Sequence, residues 1–190
     1  MKQALIVVDV QKVYTNEESD LFVKNHNSVI KNISKLIKKF RANNNPIIFV
    51  KHQHNKNKSD VGRMFDFNGE QGEVSFVDGQ RLTEYDDSIK VEKGDYEIIK
   101  TRYCAFEKTN LWDILKKEQI KKVVICGFMT NFCCETTARN AHGKDYFVDF
   151  IVDATGTPGT ENLSPNATIK ATVATLSNGF AVIKKTAEIF

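Results

Sequence analysis

Two adjacent cysteines, Cys133 and Cys134, stand a few residues after a short apolar run, Val123-Val124-Ile125-Cys126, that ends in Gly127. An apolar run broken by glycine, followed by a polar Thr130-Asn131 turn and a helix-like stretch, reads as a buried strand feeding a helix. A thiol at the first turn of a helix lies beside backbone N–H groups and the positive end of the helix dipole, and both favour thiolate. A nucleophilic thiol also needs a proton acceptor during attack and an acid for the leaving group. Other strand-like runs end in groups of suitable kinds: Asp9 after residues 4–8, His52 and His54 after residues 47–50, and Lys100 at the end of residues 96–100. If those runs lie side by side, an acid, a cation and a thiol meet at one edge. Asp9 would then take and return a proton, while Lys100 holds the aspartate and stabilises thiolate. Backbone N–H groups between Met129 and Cys133 would receive an oxyanion. Taken singly, each residue has an unreactive counterpart: a packed thiol, a turn-capping aspartate, a solvated lysine. Types and spacing leave Cys133 and Cys134 on equal footing.

The elements that must position these groups follow from periodicity. Residues 4–8 are continuously apolar, as in a parallel strand buried on both faces. Residues 11–25 are polar and loop-like. Val29, Ile33, Leu36, Ile37 and Phe40 recur at helical spacing through residues 28–43, and Asn43-Asn44-Asn45-Pro46 stops that helix before a strand at 47–50. This is a βαβ unit, with a right-handed crossover expected. Residues 53–88 form a long polar segment with no legible element, carrying Phe65, Phe67 and Phe76. A strand at 96–100, a helix at 110–117 capped by Thr109 or Asn110, a strand at 123–126, a helix at 131–142 and a strand at 147–152 follow. Ser164-Pro165 opens a last helix that ends at Asn178-Gly179, before a strand at 180–183. Strands alternating with helices predict a three-layer α/β/α sandwich with a mostly parallel, about six-stranded sheet, forming one domain over residues 1–190. In such sheets ligands bind beyond the carboxyl ends of the strands.

The composition is that of an ordinary soluble globular chain, with 41% hydrophobic and 27% charged residues and a net charge of +3. The lysines are dispersed, which argues against nucleic acid, and no apolar run approaches membrane-spanning length. The four cysteines show neither paired metal-binding spacing nor a disulfide pattern, so a cytoplasmic setting is expected.

Three segments carry a resemblance. ALIVVDVQ at 4–11, IIKTRYCAF at 98–106 and GFMTNFCCETTARNA at 127–141 resemble the signature segments of the isochorismatase-like cysteine hydrolase family, in that family's order. YFVDFIVDATGT at 146–157 is similar to the family's next strand and acidic turn. The resemblance implies an Asp-Lys-Cys triad at Asp9, Lys100 and Cys133. It puts Cys134 at a position usually held by valine. It also implies a cis peptide between Phe128 and Met129, and oxyanion donors at the backbone N–H groups of Met129 and Cys133. Gln11 matches an Asp-x-Gln pattern and is expected to orient Asp9 or touch substrate. Tyr14, Tyr103 and Phe128 are the other expected substrate contacts. No cofactor is implied, and homo-oligomers are common in the family.

Departures from the pattern narrow the substrate. Nicotinamidases of the family are similar to one another in a metal site that begins Asp-x-His after the second strand; here the stretch is His52-Gln53-His54. The two histidines are therefore expected as surface or pocket-wall residues, and no metal is assigned. Members that cleave isochorismate lack the cysteine, so Cys133 argues against that reaction. The expected activity is hydrolysis of a C–N bond in a small amide, ureido or carbamoyl compound. The alternatives are a nicotinamidase, or a small-molecule-binding scaffold with a relic triad.

Overall fold

A computed structural model describes residues 1–70 and 72–189. The chain runs β1 (Gln3–Val8), α1 (Lys12–Thr15), α2 (His26–Ala42), β2 (Ile47–His52), β3 (Tyr96–Lys100), α3 (Leu111–Lys117) and β4 (Lys122–Phe128). It continues through α4 (Glu135–Gly143), β5 (Phe147–Gly156), α5 (Pro165–Ser177) and β6 (Val182–Lys184). The six strands form one sheet in the order β3-β2-β1-β4-β5-β6, and every neighbouring pair is parallel. This is the α/β/α arrangement that the alternating pattern predicts.

The continuous apolar runs arise because helices cover both faces of the central strands. Ala4, Ile6 and Val8 of β1 pack with Ile48, Val50, Leu111, Leu115, Ala138 and Leu176 on one face. Leu5 and Val7 turn the other way, onto Ile47, Phe49 and the α2 residues Ile33, Leu36 and Phe40. At the edge, β3 keeps only Ile98 and Lys100 buried and exposes Ile99. Ser164 caps α5 as expected, accepting from the Ala167 amide at 3.3 Å, with Pro165 in the first turn.

Three local expectations are revised. The polar stretch after β1 contains the short helix α1. Helix α4 starts at Glu135, because residues Thr130–Cys134 wind as one wide π-type turn, so Cys133 belongs to that turn rather than to an α-helical N-terminus. Strand β5 runs to Gly156: pairing skips from Ile125↔Phe150 to Gly127↔Thr155, and this bulge was hidden inside a sequence that reads as a turn. Residues 53–88 hold a single 3₁₀ turn, Arg81–Thr83, and are otherwise irregular among the described residues.

The sheet order puts the topological switch between β1 and β4. The chain builds outward from β1 through β2 to β3, then returns to lay β4 on the other side of β1. The connections that follow these two strands lead to opposite sides of the sheet, which leaves the crevice where such folds bind ligands. Gly127 makes the close approach of β4 to β1 possible. Its φ is +123°, and a Cβ on it would lie 1.9 Å from the Val8 carbonyl oxygen.

Candidate active site

Asp9, Lys100 and Cys133 meet at this switch point. Asp9 leaves β1 in a left-handed conformation (φ 49°), with its amide held by the Val50 carbonyl at 2.9 Å. Cys133 sits in the wide turn after the cis Phe128–Met129 peptide, which the structure contains at the expected position. Lys100 starts from the sheet edge, two strands away from β1, in register with His52. Strands lie about 4.8 Å apart, so only a long side chain bridges that gap. The ammonium stands 2.8 Å from Asp9 Oδ2 and donates to Cys133 Sγ at 3.3 Å and to the Arg102 carbonyl at 3.0 Å. Its three protons thus each have a direction, and the side chains of Lys100 and Asp9 are fully buried. Cys134, with the same chemistry, faces the core.

The electrostatics suit proton transfer more than a standing thiolate. Burial raises the Asp9 carboxyl above the ordinary carboxylate range, against the opposing pull of Lys100. Burial would lower Lys100, but the charges of Asp9 and Cys133 outweigh it and its pKa ends above the usual lysine value. Burial pushes the Cys133 thiol up to about 12, with Lys100 acting the other way. The resting centre is therefore a thiol beside an aspartate–lysine pair. Moving the thiol proton to Asp9 leaves the net charge unchanged, with the thiolate facing the ammonium.

Cys133 opens onto a cavity of about 480 Å³. Tyr14, Tyr103 and Met129 line it, as do His52, Phe65, Phe76 and Phe132. Tyr14 is set by a stacked contact with Phe128, ring centroids 5.3 Å apart, and Phe128 lies behind it outside the cavity lining. Gln11 is also outside the lining and fully buried. Its amide donates to the His52 and Thr83 carbonyls at 2.9 and 2.6 Å and accepts from the His52 amide at 2.9 Å. It therefore pins the end of β2 to β1, and neither Gln11 nor Phe128, both expected as substrate contacts, is in the cavity lining. Phe67 is 90% exposed and takes no part. Contributions from Met64, Pro158 and Thr160 were not legible, since they come from irregular segments without periodicity.

The two histidines are buried, which corrects the surface reading; His52 is a pocket wall. Their Nε2 atoms are 3.1 Å apart, and His54 Nδ1 faces Asp60 Oδ1 at 3.3 Å. Asp9, His52 and Cys133 each bring a potential ligand atom within 4.8 Å of the others. A metal ion fits poorly there. The Lys100 ammonium already holds Asp9 and Cys133, and a second cation between them would meet a like charge.

Known proteins share the sequence pattern and fold of this chain. The family model described as the Isochorismatase domain matches residues 3–187. Nicotinamidase 3 of Arabidopsis thaliana is 33% identical over 182 residues, covering 95% of this chain and 83% of the relative. The crystal structure of a cysteine hydrolase from Pseudomonas syringae pv. phaseolicola 1448A superposes with a TM-score of 0.89 at 28% identity, over 98% of this chain and 90% of that one. N-carbamoylsarcosine amidase from Thermoplasma acidophilum gives 0.78 at 26% identity, covering 100% of this chain and 99% of that one. With a domain match running from the first strand to the last turn, and a fold shared with those structures, the chain belongs to the isochorismatase family.

Proposed function

We propose that this member of the family is a cysteine-dependent hydrolase that cleaves the C–N bond of a small amide, ureido or carbamoyl compound through a thioester. The observation that carries this reading is the buried Lys100 ammonium, which stands between Asp9 at 2.8 Å and Cys133 at 3.3 Å beside the cavity. Asp9 takes the Cys133 proton, and the thiolate forms a C–S bond to the substrate carbonyl carbon. The backbone N–H groups of Met129 and Cys133 hold the oxyanion. Collapse breaks the C–N bond, and the amine leaves with the proton from Asp9. Water then hydrolyses the thioester. Tyr14 and Tyr103 shape the substrate side of the cavity. Similarity to N-carbamoylsarcosine amidase supports the substrate class. The four unpaired cysteines support a reducing, cytoplasmic setting, and homo-oligomeric assembly is part of the same proposal.

The experiment is ammonia release across nicotinamide, ureido acids, N-carbamoyl amino acids and simple amides, using wild type, Cys133→Ala and Cys134→Ala. Cys133→Ala is expected to lose turnover and trapping by a thiol-reactive analogue, while Cys134→Ala keeps both. Full activity in Cys133→Ala would sink the assignment. The likeness to Nicotinamidase 3 favours a second reading, nicotinamide as substrate with metal assistance. Activity that vanishes with chelator and returns with added metal selects it.

A further inference from the structure

Beside the triad, two neighbouring residues carry buried acceptors without hydrogen-bond partners. Among the described residues, Asp9 Oδ1 and His52 Nδ1 have no hydrogen-bond partner, whereas Asp9 Oδ2 is held by the Lys100 ammonium at 2.8 Å. Orphaned buried polar atoms are uncommon and require an explanation. His52 also lines the cavity that Cys133 opens onto, and a ring nitrogen of His52 lies within 4.8 Å of both an Asp9 oxygen and Cys133 Sγ.

The tautomers follow from the partners. His54 Nδ1 faces a carboxylate oxygen of Asp60, an acceptor, so Nδ1 carries the proton. Burial keeps both imidazoles neutral by lowering their pKa values, His52 strongly. Neutral His54 therefore presents a lone pair at Nε2, and His52 must donate to it from its own Nε2 at 3.1 Å. This leaves His52 Nδ1 as a lone pair. The Phe76 ring, stacked at 4.3 Å and 11°, prevents the imidazole from turning away. The chain Asp60–His54–His52 thus ends in a lone pair at Nδ1 of an imidazole that lies beside Asp9. A water that donates two hydrogen bonds of about 2.8 Å joins acceptors roughly 4.5 Å apart, and such a site needs two or more polar partners to hold it.

We propose that His52 Nδ1, together with Asp9, positions the water that hydrolyses the thioester, making His52 a water-binding catalytic residue of deacylation. This inference rests on the thioester reading above. After the amine leaves, Asp9 is again a carboxylate. The water donates one proton to Asp9 and one hydrogen bond to His52 Nδ1 while its oxygen attacks the acyl carbon. The C–O bond forms, the C–S bond breaks, and the departing thiolate recovers the proton from Asp9. The products are the carboxylic acid and the free thiol. His52 changes no protonation state, in keeping with its neutral form.

The test uses p-nitrophenyl acetate, whose p-nitrophenolate release reports acylation and whose acetyl adduct on Cys133, read by intact mass, reports the thioester. His52→Leu removes the acceptor, whereas His52→Asn places an amide oxygen near the Nδ1 position. Circular dichroism checks that both are folded. In His52→Leu the burst is expected at the wild-type rate, with deacylation at least about tenfold slower and the acetyl adduct accumulating. His52→Asn is expected to recover part of the deacylation rate, and hydroxylamine to discharge the adduct in all forms. The inference is overturned if folded His52→Leu deacylates at the wild-type rate, or if acylation slows in step with deacylation. It is also overturned if wild-type turnover proves chelator-sensitive and metal-restored, since the lone pair then serves a metal. A wild type that forms no acetyl adduct on Cys133 refutes the thioester reading instead.

Discussion

Replacing Lys100 with Met separates what the ion pair does for the fold from what it does for the chemistry. The ammonium is fully buried and meets Asp9 Oδ2 at 2.8 Å, Cys133 Sγ at 3.3 Å and the Arg102 carbonyl at 3.0 Å. Methionine has a similar length but no charge, so Asp9 is left as an uncompensated buried carboxylate. Breaking one side of a buried pair costs about 3–5 kcal/mol, a large part of the roughly 5–15 kcal/mol that holds a domain together. Asp9→Asn alone leaves the ammonium stranded and costs a similar amount. The double variant Asp9→Asn/Lys100→Met removes both charges and the desolvation each suffers, so it is expected within about 1 kcal/mol of wild type. The cycle then shows a coupling of several kcal/mol, beyond the range typical of neighbouring residues. Under the proposed mechanism, hydrolysis is expected to be lost in all three variants.

The sign of the pH dependence is a second constraint on the same variant. Asp9 already has a raised pKa in the fold, and loss of Lys100 removes the main group opposing that rise. In Lys100→Met the folded state therefore binds the Asp9 proton more tightly than the unfolded state does. By linkage, its stability falls as pH rises from the unfolded carboxylate value, about 4, through the folded value. Its deficit against wild type should accordingly shrink on acidification. Urea unfolding followed by circular dichroism, at several pH values, measures all of this. The reasoning fails if Lys100→Met lies within about 0.5 kcal/mol of wild type at pH 7, or if the double variant loses the sum of the two single losses.

Two further outcomes follow from the site. Gln11→Leu strands the amide and carbonyl of His52 and the carbonyl of Thr83, which should cost about 3 kcal/mol in urea unfolding while the folded fraction keeps its KM; unchanged stability with a raised KM would restore Gln11 as a substrate contact. In the proposed mechanism Asp9 must be ionised to take the thiol proton, and its carboxyl is raised by burial, so the acid limb of the kcat/KM profile should lie above the ordinary carboxylate value of about 4. A limb at or below that value would show that Asp9 is not the base.

Local order was legible where one physical rule governs a whole segment. Continuous apolar runs marked β1 and β2, the 3.6-residue spacing marked α2, and Ser164-Pro165 marked the start of α5, because each reflects burial or capping set by neighbours in sequence. The wide turn at Thr130–Cys134 and the β5 bulge were not legible, since packing between elements imposes them. The same holds for residues 53–88, whose side chains reach the cavity without any repeat to announce them.

The sequence by itself determined the candidate chemistry: an aspartate, a lysine and a thiol at the ends of strand-like runs, with a family register that prefers Cys133. Only the tertiary structure decided which groups share a site. Sheet order puts β1 beside β4 and keeps β3 two strands away, so the reach of one lysine joins all three. Sequence could not separate Gln11 from a substrate ligand, nor join His52 to Asp9, because hydrogen-bond partners dozens of residues apart are chosen by strand register. Burial, which follows from the same packing, then set the protonation states on which the chemistry depends.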